Sequence, residues 1–160
     1  DLAEIGSYED GFFNLEVFGK ADRVVYLAAY LYHYRRDGSS SVTSGYNPRL
    51  YDQWQTLYDR MESIIRSNQL GSEYEAALNN RIALGILGLG LNITVSTQSM
   101  GKKVKDIHRI IRQERYRKAY KNLPLNYFPI HWKLFYGCAR HGFAFGVYVL
   151  LTVIQRIISR

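Results

Sequence analysis

A chain of 160 residues, 47% of them hydrophobic, is sized for one domain or one small domain with an appendage, and is too apolar for wholesale disorder. Its single cysteine, Cys138, excludes an internal disulfide and a cysteine metal site, and fits a reducing compartment. The net charge of +7 is divided: residues 1–98 carry 8 basic against 12 acidic side chains (net −4), and residues 99–160 carry 13 against 2 (net +11), so the second half suits a polyanion, either lipid head groups or nucleic acid.

The chain opens on Asp1, and the expectation is a fragment of a longer protein. The first element is a helix opening at Ser7-Tyr8-Glu9-Asp10, with Ser7 as N-cap and Asp10 three residues on, as in a capping box. Phe12, Phe13, Leu15 and Val17 supply its apolar surface, and Gly19 with Lys20-Ala21-Asp22 ends it. Arg23-Val24-Val25-Tyr26-Leu27 is a β-branched run that reads as a strand. After a break at Ala28-Ala29, the aromatic run from Tyr30 to Arg35 reads as a second strand, and Asp37-Gly38 with the serines 39–41 forms a loop.

Everything after Asn47 reads as helix. Asn47-Pro48 starts one in which Leu50, Trp54, Leu57, Met61 and Ile64 recur at intervals of three and four, and Gly71 ends it. Ser72-x-x-Glu75 opens a longer helix reaching about Ser99. Its residues 82–101 lack charge but are too polar in their second half for a membrane span, and they read as a buried helix. A third helix runs from Lys102 to Tyr120, with Val104, Ile107, Ile110 and Ile111 on its apolar face and basic residues elsewhere. Leu123-Pro124 and Pro129 break the chain, and a last helix runs from about Ile130 to the end.

Glu9-Asp10 admits two readings. Carboxylates in the first turn of a helix are favoured by its dipole, and capping alone accounts for them. A carboxylate held at a helix start beside aromatics can also act as general base towards a hydroxyl. Sugar transfer with inversion needs such a base, because the acceptor hydroxyl must lose its proton as it attacks the anomeric carbon.

Tyr8-Glu9-Asp10-Gly11-Phe12-Phe13-Asn14-Leu15-Glu16, then Val24-Val25-Tyr26, then Leu31-Tyr32-His33-Tyr34-Arg35, then Ser39 to Thr43, resemble the end of the catalytic domain of family 2 glycosyltransferases with the GT-A fold, of the type that builds bacterial capsules and exopolysaccharides. The resemblance covers roughly residues 5–45 and implies Asp10 as the base, with Glu9 as its motif partner. It implies substrate contacts for Tyr34 and Arg35, near the donor diphosphate or the acceptor, and for Ser41 in the loop bordering the active-site mouth. An arginine there can neutralise charge on a leaving diphosphate, although a solvated strand end accounts for Arg35 equally well.

In that family the nucleotide-sugar donor is held by an N-terminal half with an Asp-x-Asp string and a divalent metal, Mg or Mn. No Asp-x-Asp occurs here, nor the Gln-x-x-Arg-Trp string of processive members. The implied protein is an inverting transferase that adds single sugars, and this chain would lack the donor half, bind no metal by itself and be inactive alone. The fold class that follows is mainly α with a small β element. Residues 1–46 end a GT-A α/β catalytic domain (helix plus strand pair), 47–126 form a helical domain, and 127–160 form an amphipathic, apolar C-terminal helix.

The tail carries a second signal. The uncharged stretch between Arg140 and Arg156 is 15 residues, short of the roughly 20 that span a bilayer. Its aromatics and flanking cations suit a helix lying in the head-group region. Membrane contact is expected from Lys102, Lys103, Lys105, Arg109 and Arg112, and from Trp132 and Phe135. The expected location is peripheral, on the cytoplasmic face of a bacterial membrane, with a lipid-linked acceptor. The competing readings are a non-enzymatic basic module binding anionic membrane or nucleic acid, for which no nucleic-acid motif is present, and an assembly domain whose tail is a homodimer interface. None of the four histidines has a convincing metal-binding spacing.

Overall fold

The computed structural model describes residues 9–32 and 45–158. Among them are seven α-helices: α1 (Glu9–Lys20), α2 (Leu50–Ser67), α3 (Ser72–Thr94), α4 (Met100–Arg112), α5 (Glu114–Asn122), α6 (Ile130–Arg140) and α7 (Ala144–Ile158), with a 3-10 turn at Leu125–Tyr127. The mainly helical class holds. α3 is the central element and packs against α2, α4, α5 and α7. It is long and apolar enough to cross a membrane. In the bundle, Leu78, Ile82, Ala83, Ile86, Leu89 and Ile93 form its buried face.

Glycines let the neighbours come close to α3. A Cβ on Gly85 would stand 2.5 Å from the Tyr58 hydroxyl, and one on Gly88 would stand 2.7 Å from the Trp54 indole. On the other side, Gly90 takes the Leu151 side chain of α7. Large side chains therefore seat directly on the α3 backbone, and one continuous core runs from Trp54 to Leu151. Asn47 is fastened to α3 by a two-way amide pair: its N–H donates to Asn92 Oδ1 at 2.7 Å, and Asn92 Nδ2 donates to its carbonyl at 2.9 Å.

Several boundaries differ from the sequence reading. Gly71 is the N-cap of α3 and not the end of α2; α2 closes at Gln69, which takes the left-handed conformation (φ 50°) while Leu70 N–H returns to the Ile65 carbonyl. α3 stops at Thr94 and not near Ser99. The Thr94 and Ser96 hydroxyls turn back onto the Leu91 and Ile93 carbonyls, and Ser99 caps α4 by accepting from Lys102 N–H. The expected helix from Lys102 to Tyr120 is broken at Gln113 (φ −64°, ψ 146°), whose side chain is engaged by the Tyr51 hydroxyl of α2. The expected last helix is two helices, α6 and α7, joined through Gly142 at φ 75°. Both pack into the same core as α2–α5.

The strands expected at Arg23–Leu27 and, for the described start of the second run, at Tyr30–Tyr32 are not seen. Residues 21–32 are irregular, and no strand occurs among the described residues. β-branched and aromatic content supplies propensity but not a ladder partner, and a strand needs one.

Candidate functional site

Helix α1 lies on α2, with Phe12 and Leu15 half-buried against the core. Gly11 follows the Glu9-Asp10 pair and makes close contact with α3: a Cβ there would stand 3.1 Å from Arg81 Nη2 and 3.6 Å from Met61 Cε. Beside it opens a cleft of about 270 Å³, lined among others by Asn14, Leu15, Phe18, Tyr74 and Arg81. A second cleft of about 480 Å³ shares Ala77 and Arg81 and continues along α3 to Trp54 and Tyr58. The first turn of α1 thus sits at the rim of an apolar groove with a guanidinium in its wall.

Glu9 and Asp10 are described as backbone, in that first turn; their side chains, with Ser7, Tyr34, Arg35 and Ser41, lie outside the described residues. Arg81 is the residue sequence reasoning missed. The signal was there: it is the lone charge between Glu75 and Lys102, inside a long apolar helix. Burying a charge is costly unless it is partnered, so an arginine at such a position marks a polar locus.

The basic helix resolves into two kinds of cation. Lys103 Nζ donates to the Thr94 carbonyl at 2.9 Å and ties α4 to the end of α3. Arg115 pairs with Asp59, donates to Gln55 Oε1 at 2.9 Å, and stands 6.0 Å from the Tyr58 ring centre. Burial alone would lower its pKa, but Asp59 and Glu62 outweigh burial and raise it. These two cations hold the fold. Lys102, Lys105, Arg109 and Arg112 instead line the exposed side of α4, opposite the buried Ile107, Ile110 and Ile111. Asp106 takes Lys102 at 2.5 Å and Arg109 at 3.7 Å.

One of the two expected aromatic membrane contacts, Phe135, is corrected. Phe135 is 1% exposed and belongs to the core, where it meets Trp132 and Tyr136 edge-on. Trp132 is half-buried and stacks on Tyr136 at 6.1 Å. An i, i+3 spacing does not say which way a helix faces, and the sequence reading took the buried side for the outer one. Ile130 and Leu134 are the exposed large apolar residues of α6.

Burial pushes the Tyr136 hydroxyl up to about 12 and holds Tyr116 and Tyr120 well above the usual tyrosine range. No three His, Cys, Asp or Glu side chains come together to hold a metal among the described residues. Comparison with family models, with curated proteins and with solved structures finds no match for this chain.

Proposed function

We propose that this chain is the acceptor-side part of an inverting, nucleotide-sugar-dependent glycosyltransferase of cell-surface polysaccharide synthesis, with Asp10 as general base. The observation that carries the reading is the first turn of α1. It brings the Glu9-Asp10 backbone to the rim of the groove beside Arg81. The groove would give an amphipathic, lipid-linked acceptor an apolar wall beside the turn that carries Asp10.

In the reaction, the acceptor hydroxyl gives its proton to an Asp10 carboxylate oxygen while its oxygen attacks the anomeric carbon. The bond to the nucleoside diphosphate breaks on the opposite face and the configuration inverts. Arg35 meets charge developing on the diphosphate. The resemblance puts the Mg or Mn with the donor-side half, where it would screen the diphosphate.

A second observation supports the α/β part of the reading. Val24, Val25, Tyr26, Leu27, Leu31 and Tyr32 are each at least 64% exposed. Consecutive apolar residues on both sides of a segment suit a strand covered on both faces, as in a parallel sheet. The competing reading, a basic module for anionic membrane or nucleic acid, draws on the exposed cations of α4. Peripheral attachment at the cytoplasmic face is compatible with both.

The test is Asp10→Asn in the whole transferase. A folded variant is expected to lose sugar transfer by about 10²- to 10⁴-fold, the usual worth of a positioned base. Near-normal transfer would remove Asp10 from the mechanism.

A further inference from the structure

We propose that the outer face of α7, with the turn before it, seats on the head-group region of an anionic bilayer. The inference rests on the part of the proposed function that brings the chain to a membrane, and not on the chemistry of Asp10.

Helix α7 buries Ala144, Val147 and Leu151 against the bundle. On its other side Phe145, Val149, Val153 and Ile157 recur every fourth residue and form one stripe. These four and Phe143 are 42% to 69% exposed. A surface helix normally turns polar residues outward, whereas this one is apolar on both sides.

The turn adds one aromatic ring, Phe143, beside Phe145 of the stripe. Phe143 rests on Gly146, where a Cβ would stand 2.5 Å from its ring, and its centroid lies 6.5 Å from that of Phe145. Aromatic rings at the end of an apolar stripe suit the boundary between head groups and acyl chains.

Cations stand at the same turn. Arg112 lies over Gly142, its Nε 2.7 Å from where a Cβ would be. It ends the exposed α4 row of Lys102, Lys105, Arg109 and Arg112, whose spacing of three, four and three makes one stripe. Asp106 is the single acidic residue of α4 against these four. Helix α4 packs along α7, so a cationic row runs on the helix next to the apolar one.

That pairing selects the occupant. A second copy seated on the apolar stripe would bring like-charged flanks together. Duplex nucleic acid would use the cations and leave the stripe in water. An anionic lipid surface satisfies both. At 15 residues and about 1.5 Å per residue, α7 is too short to cross a hydrocarbon core of about 30 Å and would lie in the interface plane.

The experiment is co-sedimentation of this chain with phosphatidylcholine vesicles, with and without phosphatidylglycerol, read beside light scattering and circular dichroism. Binding to the anionic vesicles is expected to exceed binding to the neutral ones by about tenfold or more and to weaken as salt rises. Val149→Ser with Val153→Ser, and separately Lys105→Glu, should each lower it several-fold with the helical spectrum unchanged. Phe143→Ser, in the turn, carries the test if the helix variant loses its fold. Absence of vesicle binding would overturn the proposal, as would undiminished binding by a folded Val149/Val153 or Phe143 variant. So would a dimer that these variants split, or binding to duplex DNA in preference to vesicles. The readout involves no sugar transfer, so its failure and a failure of Asp10→Asn are separate results.

Discussion

The Trp54 indole of α2 rests on Gly88 of α3, so near that a Cβ there would stand 2.7 Å from the ring. Gly85, one turn earlier, bears the Tyr58 hydroxyl in the same way. Glycine inside a helix costs about 1 kcal/mol against alanine, and here that cost is offset by the close seating of two large aromatics. Gly85→Ala should therefore destabilise the bundle by about 1–3 kcal/mol, as overpacking does, despite the better helix former. Gly101→Ala is the control. Nothing stands within 4 Å of its Cβ position, and it should be neutral or stabilise by up to about 1 kcal/mol. Urea denaturation of the two variants reads the opposite signs.

Arg140 closes α5 from a distance. Its Nε donates to the Tyr120 carbonyl at 2.9 Å and its Nη2 to the Leu123 carbonyl at 2.6 Å, satisfying groups at a helix end that has no glycine cap. Arg140→Leu should cost about 1.5–3 kcal/mol, the range for hydrogen bonds from a charged donor. Arg140→Lys should recover only part of this, because an ammonium cannot present the same fork. Thermal unfolding followed by circular dichroism checks both.

Three tyrosines set the alkaline limit. Burial raises Tyr136 to about 12 and lifts Tyr116 and Tyr120 well above their ordinary value. The folded chain therefore holds these protons more tightly than the unfolded chain, whose tyrosines ionise near pH 10. The linked stability is complete below about pH 10 and is lost as pH rises beyond it through the folded values. Unfolding midpoints measured from pH 8 upward should stay level and then fall. A phenolate absorbance titration should show these three ionising only as the fold is lost.

How far the sequence could be read depended on what each signal encodes. The periodicity of Leu50, Trp54, Leu57 and Met61 names both a helix and its buried side, because enough positions agree. Val24–Leu27 carries strand propensity alone, and nothing local says whether a partner strand is within reach. The break at Gln113 needs no proline or glycine. There the Gln113 side chain accepts a bond from Tyr51, 62 positions away, and only the folded chain brings that partner near. Gly142 was a readable stop, passed over because the apolar run continues on both sides of it. At the candidate site, Glu9-Asp10 was legible through the strings that follow it. Arg81 was legible only in part, because a charge in an apolar helix announces a polar locus without saying which element it meets.

The central claim is that Asp10 takes the acceptor proton, and the pH–rate profile of sugar transfer by the whole enzyme tests it most directly. The wild type should lose rate on the acid side as Asp10 takes up a proton. Asp10→Asn should be slower by about 10²- to 10⁴-fold and lack that acid limb. A folded Asp10→Asn enzyme with near-normal rate and the same acid limb would contradict the account.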